Sequence, residues 1–498
     1  MKDKIFIFLF FLSFLLFFAQ GHNPSIDASL RFEMTKSIID RGSFEVEHPF
    51  ARKGVNERYY NTYGPIASFI GIPFYLIAKL TAHFTRFPMK GLEEFFFSMI
   101  NPLLSAFIIL IYFMFLKNAL KLEPKRAFLC CILLCFTSSF LFYAKSTANE
   151  IPTTLFFLLG IYFLFKESKK TKDWILGGAF FGLAYLTRWE AALFSVPVFL
   201  WIIYLLYKKK EFSSLGFLIG FIPFLIAGML YTYFFFGNFF FQYGEAMGVK
   251  EKIQIHDVSD FLKHLFSYPF LRGFYRRIFS LEQGLFSYNP FLLFSFFGLV
   301  HLRKRKEQFF LILSWLFLFI IFYSFVPVRG AWMGPRYFLP VIPFLTFLAI
   351  NYDYRGITRW FFNVLIFISF VINFSSINVC CHRICYKEAI FYGNEIEKNL
   401  TIAEMRLPLT LEGAFEVWRN YLKYPNRDYF FSKENASFNE RLEKQATVAL
   451  PNFWWVFLPF FGVPRVLVYM VMVFLLFIGI YSGYKIRKEV LRENLTIP

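Results

Sequence analysis

Three carboxylates stand where long apolar runs of the chain meet polar sequence. Asp27 lies a few residues beyond the first run, Glu150 begins a later run, and Glu190 lies in the short turn Leu186–Glu190 between two others. Ionisable residues at a membrane boundary are costly and are often functional, and a carboxylate there can act as a general base. Structural roles also fit, since Asp27 would cap a helix and Glu150 would complement a helix dipole.

Two arginines occupy the same kind of position. Arg188 lies beside Glu190, so an ion pair or a snorkelling side chain is one interpretation. Arg336 follows Gly334 and Pro335 and enters another apolar run, with no carboxylate near it in the sequence. The planar guanidinium binds carboxylates and phosphates through two parallel hydrogen bonds. The sequence therefore predicts that Arg336 binds an anion from outside the chain, and phosphate is the natural candidate.

Asp27 stands at the head of a helical pattern. Ile26, Leu30, Met34 and Ile38 recur every four residues, with polar residues between them. This spacing predicts an amphipathic helix that lies on the membrane surface.

The elements that position these residues follow from the composition. Of the 498 residues, 57% are hydrophobic and 17% are charged, and 77 are Phe. Soluble proteins have about 25% charged residues. The composition excludes a disordered chain, a collagen and a small disulfide scaffold, and it indicates an all-α polytopic membrane protein. The net charge of +19 comes in short basic groups between apolar runs. That arrangement sets membrane topology and predicts no nucleic-acid partner.

Twelve apolar runs approach or exceed the roughly 20 residues that cross a bilayer. They are residues 5–20, 95–116, 127–144, 150–165, 174–187, 189–207, 213–236, 286–302, 308–327, 337–351, 360–377 and 463–484. A thirteenth run, 65–80, is ambiguous because it contains Gly71 and Pro73.

Basic residues decide how the ambiguous run is interpreted. If 65–80 does not cross, both termini and five basic loops fall on one side of the membrane. These seven segments hold 23 Lys and Arg against 9 Asp and Glu, a net charge of +14. The positive-inside rule therefore favours about twelve spans, cytoplasmic termini, and a run 65–80 that lies at the outer interface.

The same topology divides the chain into three parts. Residues 1–377 form a transmembrane domain with a large outer loop, 21–94. Residues 378–462 form an outer loop or small domain, and residues 463–498 form the last span and a cytoplasmic tail.

The first run also fits a cleaved signal peptide, although an uncleaved helix is favoured. The six cysteines form two triplets. The first lies in an apolar run, where the side chains are expected to pack in the interior: Cys130, Cys131 and Cys135. The second lies in a polar loop, where either a disulfide or a free thiol fits: Cys380, Cys381 and Cys385.

The order of these pieces resembles the GT-C glycosyltransferases. The nearest branch is that of the protein mannosyltransferases and the lipid A aminoarabinose transferase. The matching pieces share an outer placement and are Asp27 with Arg31–Ile38, Tyr60–Pro65, Gly182–Arg188, Gly284–Pro290 and Gly334–Pro340.

The resemblance implies a sugar donor linked to polyprenyl phosphate and a lipid, glycan or protein acceptor. It also implies an active site on the extracytoplasmic face, with the bacterial inner membrane as the expected location. By this likeness Asp27 is the catalytic base. Arg336, followed by Arg188 and Arg58, would hold the donor phosphate.

Glu150 and Tyr63 are assigned by the resemblance to orienting the acceptor or a cation. This chain departs from the aminoarabinose branch, where a Glu-Lys pair stands at the positions of Tyr63 and Gly64. The metal-ligating Glu and the phosphate-binding Lys are therefore both missing. No cofactor is predicted with certainty, and a divalent cation stays open.

Two other classes of function stay open. A transporter or flippase of a lipid-linked substrate would need repeats and charges in mid-span, and neither is evident. A non-catalytic membrane scaffold would have no need of a carboxylate at Asp27.

Overall fold

The structure is a computed structural model of the chain. It describes residues 2–22, 25–85, 87–166, 170–239, 269–302, 306–325, 334–379, 406–423, 450–461 and 463–489. Within these ranges the chain is mostly helical, as the sequence predicts.

The α-helices are numbered here in chain order. The first eleven are α1 (Lys2–Phe17), α2 (Ile26–Arg41), α3 (Ile66–Phe84), α4 (Met89–Ser98), α5 (Ile100–Met114), α6 (Pro124–Thr137), α7 (Phe140–Lys145), α8 (Glu150–Leu164), α9 (Thr171–Thr187), α10 (Val196–Tyr204) and α11 (Gly216–Phe236). The later ones are α12 (Phe270–Ile278), α13 (Leu285–Tyr288), α14 (Ser295–Leu302), α15 (Lys306–Phe325), α16 (Ile342–Ile350), α17 (Gly356–Asn378), α18 (Arg406–Lys423), α19 (Trp454–Phe457) and α20 (Arg465–Glu489).

Shorter elements join these helices. A two-stranded antiparallel hairpin pairs β1 (Arg52–Lys53) with β2 (Tyr59–Tyr60). The 3₁₀ turns are Trp189–Ser195, Phe212–Leu215, Pro290–Phe294, Arg336–Phe338 and Leu458–Phe461, and π-helical turns cover Phe115–Ala119 and Leu205–Lys209.

Six helical segments among the described residues are long and apolar enough to cross a membrane. They are Ile66–Phe84, Met89–Asn118, Trp189–Lys209, Phe212–Phe236, Gly356–Asn378 and Arg465–Lys488. Shorter apolar helices cover Lys4–Phe17, Glu150–Leu164, Pro290–Leu299 and Phe309–Phe325. Length and composition thus qualify Ile66–Phe84 as a span, although the basic loops argue against it, and the count of about twelve spans stays a prediction.

One predicted span is interrupted. The sequence predicts a continuous run over 127–144, but α6 ends at Thr137 and α7 begins at Phe140. The side chain of Asn289 accepts hydrogen bonds from the Ser139 amide at 2.6 Å and from its hydroxyl at 3.0 Å. The apolar run is therefore divided into two helices, and a buried amide binds the backbone where they meet. The triplet Cys130, Cys131 and Cys135 on α6 is buried and free, as predicted.

Helices α8, α9 and α11 pack as a tight group through glycines. A Cβ atom on Gly178 of α9 would stand 2.1 Å from the carbonyl oxygen of Phe217, and one on Gly220 of α11 would stand 2.0 Å from that of Ile175. The two backbones therefore approach closely, as small residues permit in membrane helix pairs. This contact fixes the C-terminal end of α9, where Arg188 follows.

The first helix runs parallel to α6 and antiparallel to α20. Phe10 and Phe14 of α1 contact Phe128 and Phe136 of α6 in the same order along both helices. On α20 the order is reversed, because Phe6 faces Lys485 while Ser13 faces Gly479.

Helix α2 forms where the pattern predicts it, but protein covers its apolar side chains. Leu30 and Met34 are buried with Tyr60 and Tyr185, whereas Ala28 and Phe32 pack on the opposite side against α3 and α4. The apolar stripe therefore packs on protein and not on lipid, and the position of the helix at the membrane surface stays a prediction. The sequence could not show this because a lipid surface and a protein surface select the same apolar pattern.

The proposed outer domain is only partly described. Of residues 378–462, helix α18 packs against α17, and residues 450–461 lie near the end of α1. The triplet Cys380, Cys381 and Cys385 lies outside the described residues, so its state stays a prediction. The division of the chain into domains also stays a prediction.

Candidate active site

Asp27 lies in the first turn of α2 and does not cap the helix. The cap is Ser25, whose side chain accepts a hydrogen bond from the Ala28 amide at 3.3 Å. The Asp27 carboxylate instead accepts a hydrogen bond from the Tyr63 hydroxyl at 2.7 Å. The capping interpretation of Asp27 is therefore wrong.

Arg31 fixes the position of this helix relative to the start of α8. Its Nε donates to the Asp27 carbonyl at 3.0 Å, its Nη2 donates to the Thr147 carbonyl at 2.7 Å, and Nη1 contacts the Asn149 side chain. Burial lowers the pKa of Arg31 to about 10, and the charge of Asp27 offsets part of that effect. Arg31 stays charged near neutral pH and holds Asp27 close to Glu150.

Tyr63 is placed by the segment Asn61–Pro65, which lies against the turn after α9. The Trp189 indole donates to the Thr62 carbonyl at 3.0 Å, and the Tyr231 hydroxyl donates to the Asn61 carbonyl at 2.8 Å. Burial, together with the neighbouring carboxylate of Asp27, raises the pKa of Tyr63 well above its usual value. The hydroxyl therefore remains a hydrogen-bond donor to Asp27 over the physiological pH range.

Glu150, Arg188 and Glu190 form an ion-pair group. Arg188 Nε donates to Glu190 at 2.8 Å, and a further guanidinium nitrogen contacts Glu150. The predicted ion pair between Arg188 and Glu190 is confirmed. Glu150 begins α8, as predicted, and its side chain is only 5% exposed.

Arg336 has a partner within the chain that the sequence did not reveal. Its Nε lies 3.1 Å from Glu150 Oε1. The two residues are 186 positions apart in the sequence, so only the fold brings them together. The binding of an outside anion by Arg336 stays a prediction. Gly334, with a φ of +70°, precedes Arg336 and turns the chain into the site.

Arg336 nevertheless keeps hydrogen-bonding capacity. Its Nε is buried without a well-directed hydrogen bond, and within the described residues no hydrogen bond engages the rest of the guanidinium. Its side chain is 14% exposed.

Sequence reasoning missed the centre of the basic cluster, which is the ring of Tyr337. The guanidinium carbons of Arg336, Arg277 and Arg188 lie 4.7, 5.1 and 5.4 Å from its centroid, and Tyr323 stacks against it at 4.7 Å. Three cations on one aromatic ring are suited to hold a further anion. The adjacent Arg276 and Arg277 in an outer segment were the one sequence signal for Arg277.

The candidates do not all meet. Five of them lie in one group: Asp27, Tyr63, Glu150, Arg188 and Arg336. Tyr63 binds Asp27, and Glu150 contacts both arginines. The charge of Asp27 also acts on both Arg31 and Arg336.

Arg58 lies apart, in an exposed turn between β1 and β2. Its guanidinium lies 3.4 Å from Glu45, and 60% of its side chain is exposed. Its role in phosphate binding stays a prediction.

The residues present do not form a good divalent-cation site. Glu150 is engaged by two arginines and Asp27 by Tyr63. No group of three or more His, Cys, Asp or Glu converges in the part of the chain that the structure describes. The arrangement offers a hydrogen-bonded carboxylate beside a basic, aromatic cluster, which suits proton removal next to a bound anion.

One protein family matches part of the chain in sequence. Residues 76–230 match the family of dolichyl-phosphate-mannose-protein mannosyltransferases. The matched region contains Glu150 and Arg188 but neither Asp27 nor Arg336. No curated protein matches the chain in sequence.

Two solved structures align with most of this chain. ArnT from Cupriavidus metallidurans bound to undecaprenyl phosphate is 12% identical, with 99% of this chain and 80% of that chain covered and a TM-score of 0.46. The oligosaccharyltransferase of Archaeoglobus fulgidus in its apo form is 11% identical, with 91% and 64% covered and a TM-score of 0.48.

The family match confirms the resemblance to the GT-C glycosyltransferases. It supports an integral membrane glycosyltransferase as the coarse description of this chain.

Proposed function

We propose that the chain transfers a sugar from a polyprenyl-phosphate-linked donor to a lipid, glycan or protein acceptor on the extracytoplasmic side of a membrane. The observation that carries this proposal is that Asp27 lies near the arginine cluster around Tyr337. A transfer of this kind needs a base for the acceptor and a cationic place for a lipid phosphate, and both are available here.

Asp27 acts as the base. Its carboxylate takes the proton of the acceptor hydroxyl while that oxygen attacks the anomeric carbon of the donor. The bond between the anomeric carbon and the phosphate oxygen breaks, and the polyprenyl phosphate leaves with the electron pair. Tyr63 holds one carboxylate oxygen at 2.7 Å and Arg31 holds the helix turn, so Asp27 is oriented before a substrate arrives.

Arg336 receives the leaving phosphate. Charge grows on the phosphate oxygens as the glycosidic bond breaks, and a fixed guanidinium stabilises that charge better in a buried site than in water. Arg188 is already engaged with two carboxylates, whereas Arg336 keeps donors that no group in the described part of the chain engages. Arg277 adds positive charge next to the same Tyr337 ring, 5.1 Å from its centroid. Burial lowers the pKa of Arg277 to about 10, which leaves it charged at neutral pH.

The location follows from the topology predicted by the basic loops. With cytoplasmic termini, α2 and the turn at Arg188 face the outside. A bacterial inner membrane with a periplasmic active site fits this arrangement. A lipid-linked donor then reaches the cluster from the outer leaflet.

Transfer by the purified protein in lipid vesicles tests this proposal. Radiolabelled sugars on polyprenyl phosphate are supplied with lipid, glycan and peptide acceptors, and release of free polyprenyl phosphate is measured. We expect release that depends on both donor and acceptor. Translocation of an intact donor without release would indicate a flippase, and neither release nor translocation would favour a scaffold.

A further inference from the structure

Glu150 lies between two arginines of the basic cluster, Arg188 and Arg336. Its Oε1 contacts a guanidinium nitrogen of Arg188 and lies 3.1 Å from Arg336 Nε. Arg188 also donates a hydrogen bond from its Nε to Glu190 at 2.8 Å. Glu150 is thus the carboxylate that neutralises Arg336 among the described residues.

The contact between Glu150 and Arg336 has poor hydrogen-bonding geometry. Arg336 Nε is close to the carboxylate, yet it makes no directed hydrogen bond there. The contact is therefore mainly charge attraction, whereas Glu190 binds Arg188 through two nitrogens. A phosphate that used the two terminal nitrogens of Arg336 would form the better-aligned pair.

A bound phosphate and Glu150 would be like charges in a buried site. Two charges a few ångströms apart interact several times more strongly there than in water. The carboxylate must therefore oppose the phosphate as long as it stays beside Arg336.

We propose that Glu150 is the resident counter-ion of Arg336, that it occupies the anion position of the cluster in the donor-free protein, and that the donor phosphate displaces it. This inference rests on the proposed function, because it takes Arg336 as the phosphate site. Glu150 is then a positioning residue: it keeps the arginines from repelling one another when no donor is bound, and it promotes release of the product phosphate by returning to Arg336.

The test measures binding of undecaprenyl phosphate to the intact protein in detergent, with undecaprenol as the uncharged control ligand. Glu150→Gln removes the competing charge and keeps the side-chain shape. We expect it to bind undecaprenyl phosphate about tenfold more tightly than wild type. Because a tightly held product leaves slowly, kcat and KM for the donor should fall together.

Glu190→Gln is the matched control, since among the described residues it removes a neighbouring carboxylate that pairs with Arg188 and not with Arg336. It should tighten binding clearly less than Glu150→Gln. In an Arg336→Ala background, Glu150→Gln should give no tightening, which assigns the effect to that pair. Thermal unfolding in detergent shows whether each variant is folded. If Glu150→Gln does not fold, Glu150→Ala takes its place, since it also removes the charge and should tighten binding in the same way.

The outcomes separate the two proposals. Weaker or unchanged binding by folded Glu150→Gln, or equal tightening by Glu190→Gln, overturns the counter-ion role and leaves the proposed function standing. If wild type shows no saturable binding of undecaprenyl phosphate beyond that of undecaprenol, the phosphate site and the counter-ion role both fail.

Discussion

The charged side chains of the site differ in how firmly the chain itself holds them. Arg31 and Arg188 are bound on several sides, and Asp27 accepts one hydrogen bond from Tyr63. Arg336 has a single ion pair with Glu150 within the described residues. A charged side chain that is largely buried and incompletely paired costs stability, and this cost is the physical reason for proposing a ligand at Arg336.

Arg336→Lys tests the phosphate role at this scale. Lysine keeps the charge but loses the two parallel donors. A charge-assisted hydrogen bond contributes about 1.5–3 kcal/mol, so donor use should fall about ten- to a hundredfold. The measurement is donor kcat/KM in vesicles, with Arg41→Lys as a control because Arg41 lies at the exposed end of α2 beside Glu47. A donor kcat/KM that stays at the wild-type value in Arg336→Lys and in Arg336→Ala would remove the assignment.

The sequence identified most of the charged residues and the pair of Arg188 with Glu190, but not the partners that lie far apart in the sequence. Asp27, Glu150, Arg188 and Arg336 could be predicted as boundary residues, because apolar runs and their ends can be read directly. Arg277 could not, because its approach to Tyr337 depends on how α12 packs against α15, where Gly273 lies against the Ser324 carbonyl. The roles assigned to all these residues stay predictions.

Among the elements, the segment Asn61–Pro65 couples the two halves of the site. It presents Tyr63 to Asp27 and lies directly on the turn that carries Arg188. Gly64 permits this approach, since a Cβ there would stand 2.0 Å from the Leu186 carbonyl oxygen. The resemblance noted Gly64 only as the position of a missing lysine, because sequence alone does not show which backbones touch.

Gly64→Ala should therefore separate the segment from the turn. Overpacking of this kind costs about 1–3 kcal/mol of folding free energy. A displacement of about 1 Å at the reacting groups can lower the rate about a hundredfold. We expect a lower unfolding temperature and a large loss of transfer. Gly91→Ala is the control because a Cβ at Gly91 of α4 meets nothing within 4 Å. Equal behaviour of the two variants would contradict the coupling.

For the whole molecule, the directions of the helices bear on the topology. Helix α1 runs parallel to α6. An odd number of crossings must therefore lie between them, and α5 with α4 supplies one. If α3 also crossed, α6 would run antiparallel to α1. The helix packing thus supports an α3 that does not cross, as the basic loops predict, even though its length and composition would allow it.

Reporter fusions test this topology. Fusions after Lys125, Lys170, Lys209 and Lys304 should all report the cytoplasm, as should one after Lys2. A fusion after Lys423 should report the outside and serves as the control. Opposite locations for the fusions after Lys2 and Lys125 would show that the twelve-span topology is wrong.

The proposed sugar transfer depends on Asp27 as the base, and one substitution tests that role directly. Asp27→Asn keeps the size of the side chain and can still bond to Tyr63, but it cannot take a proton at neutral pH. Asp40→Asn, on the same helix and bound to Lys79 at 2.8 Å, is the matched control. Sugar transfer from a polyprenyl-phosphate donor is measured in vesicles at equal amounts of folded protein. We predict that Asp27→Asn lowers turnover by about 10²–10⁴ while Asp40→Asn retains it; near-normal transfer by Asp27→Asn would contradict the central claim.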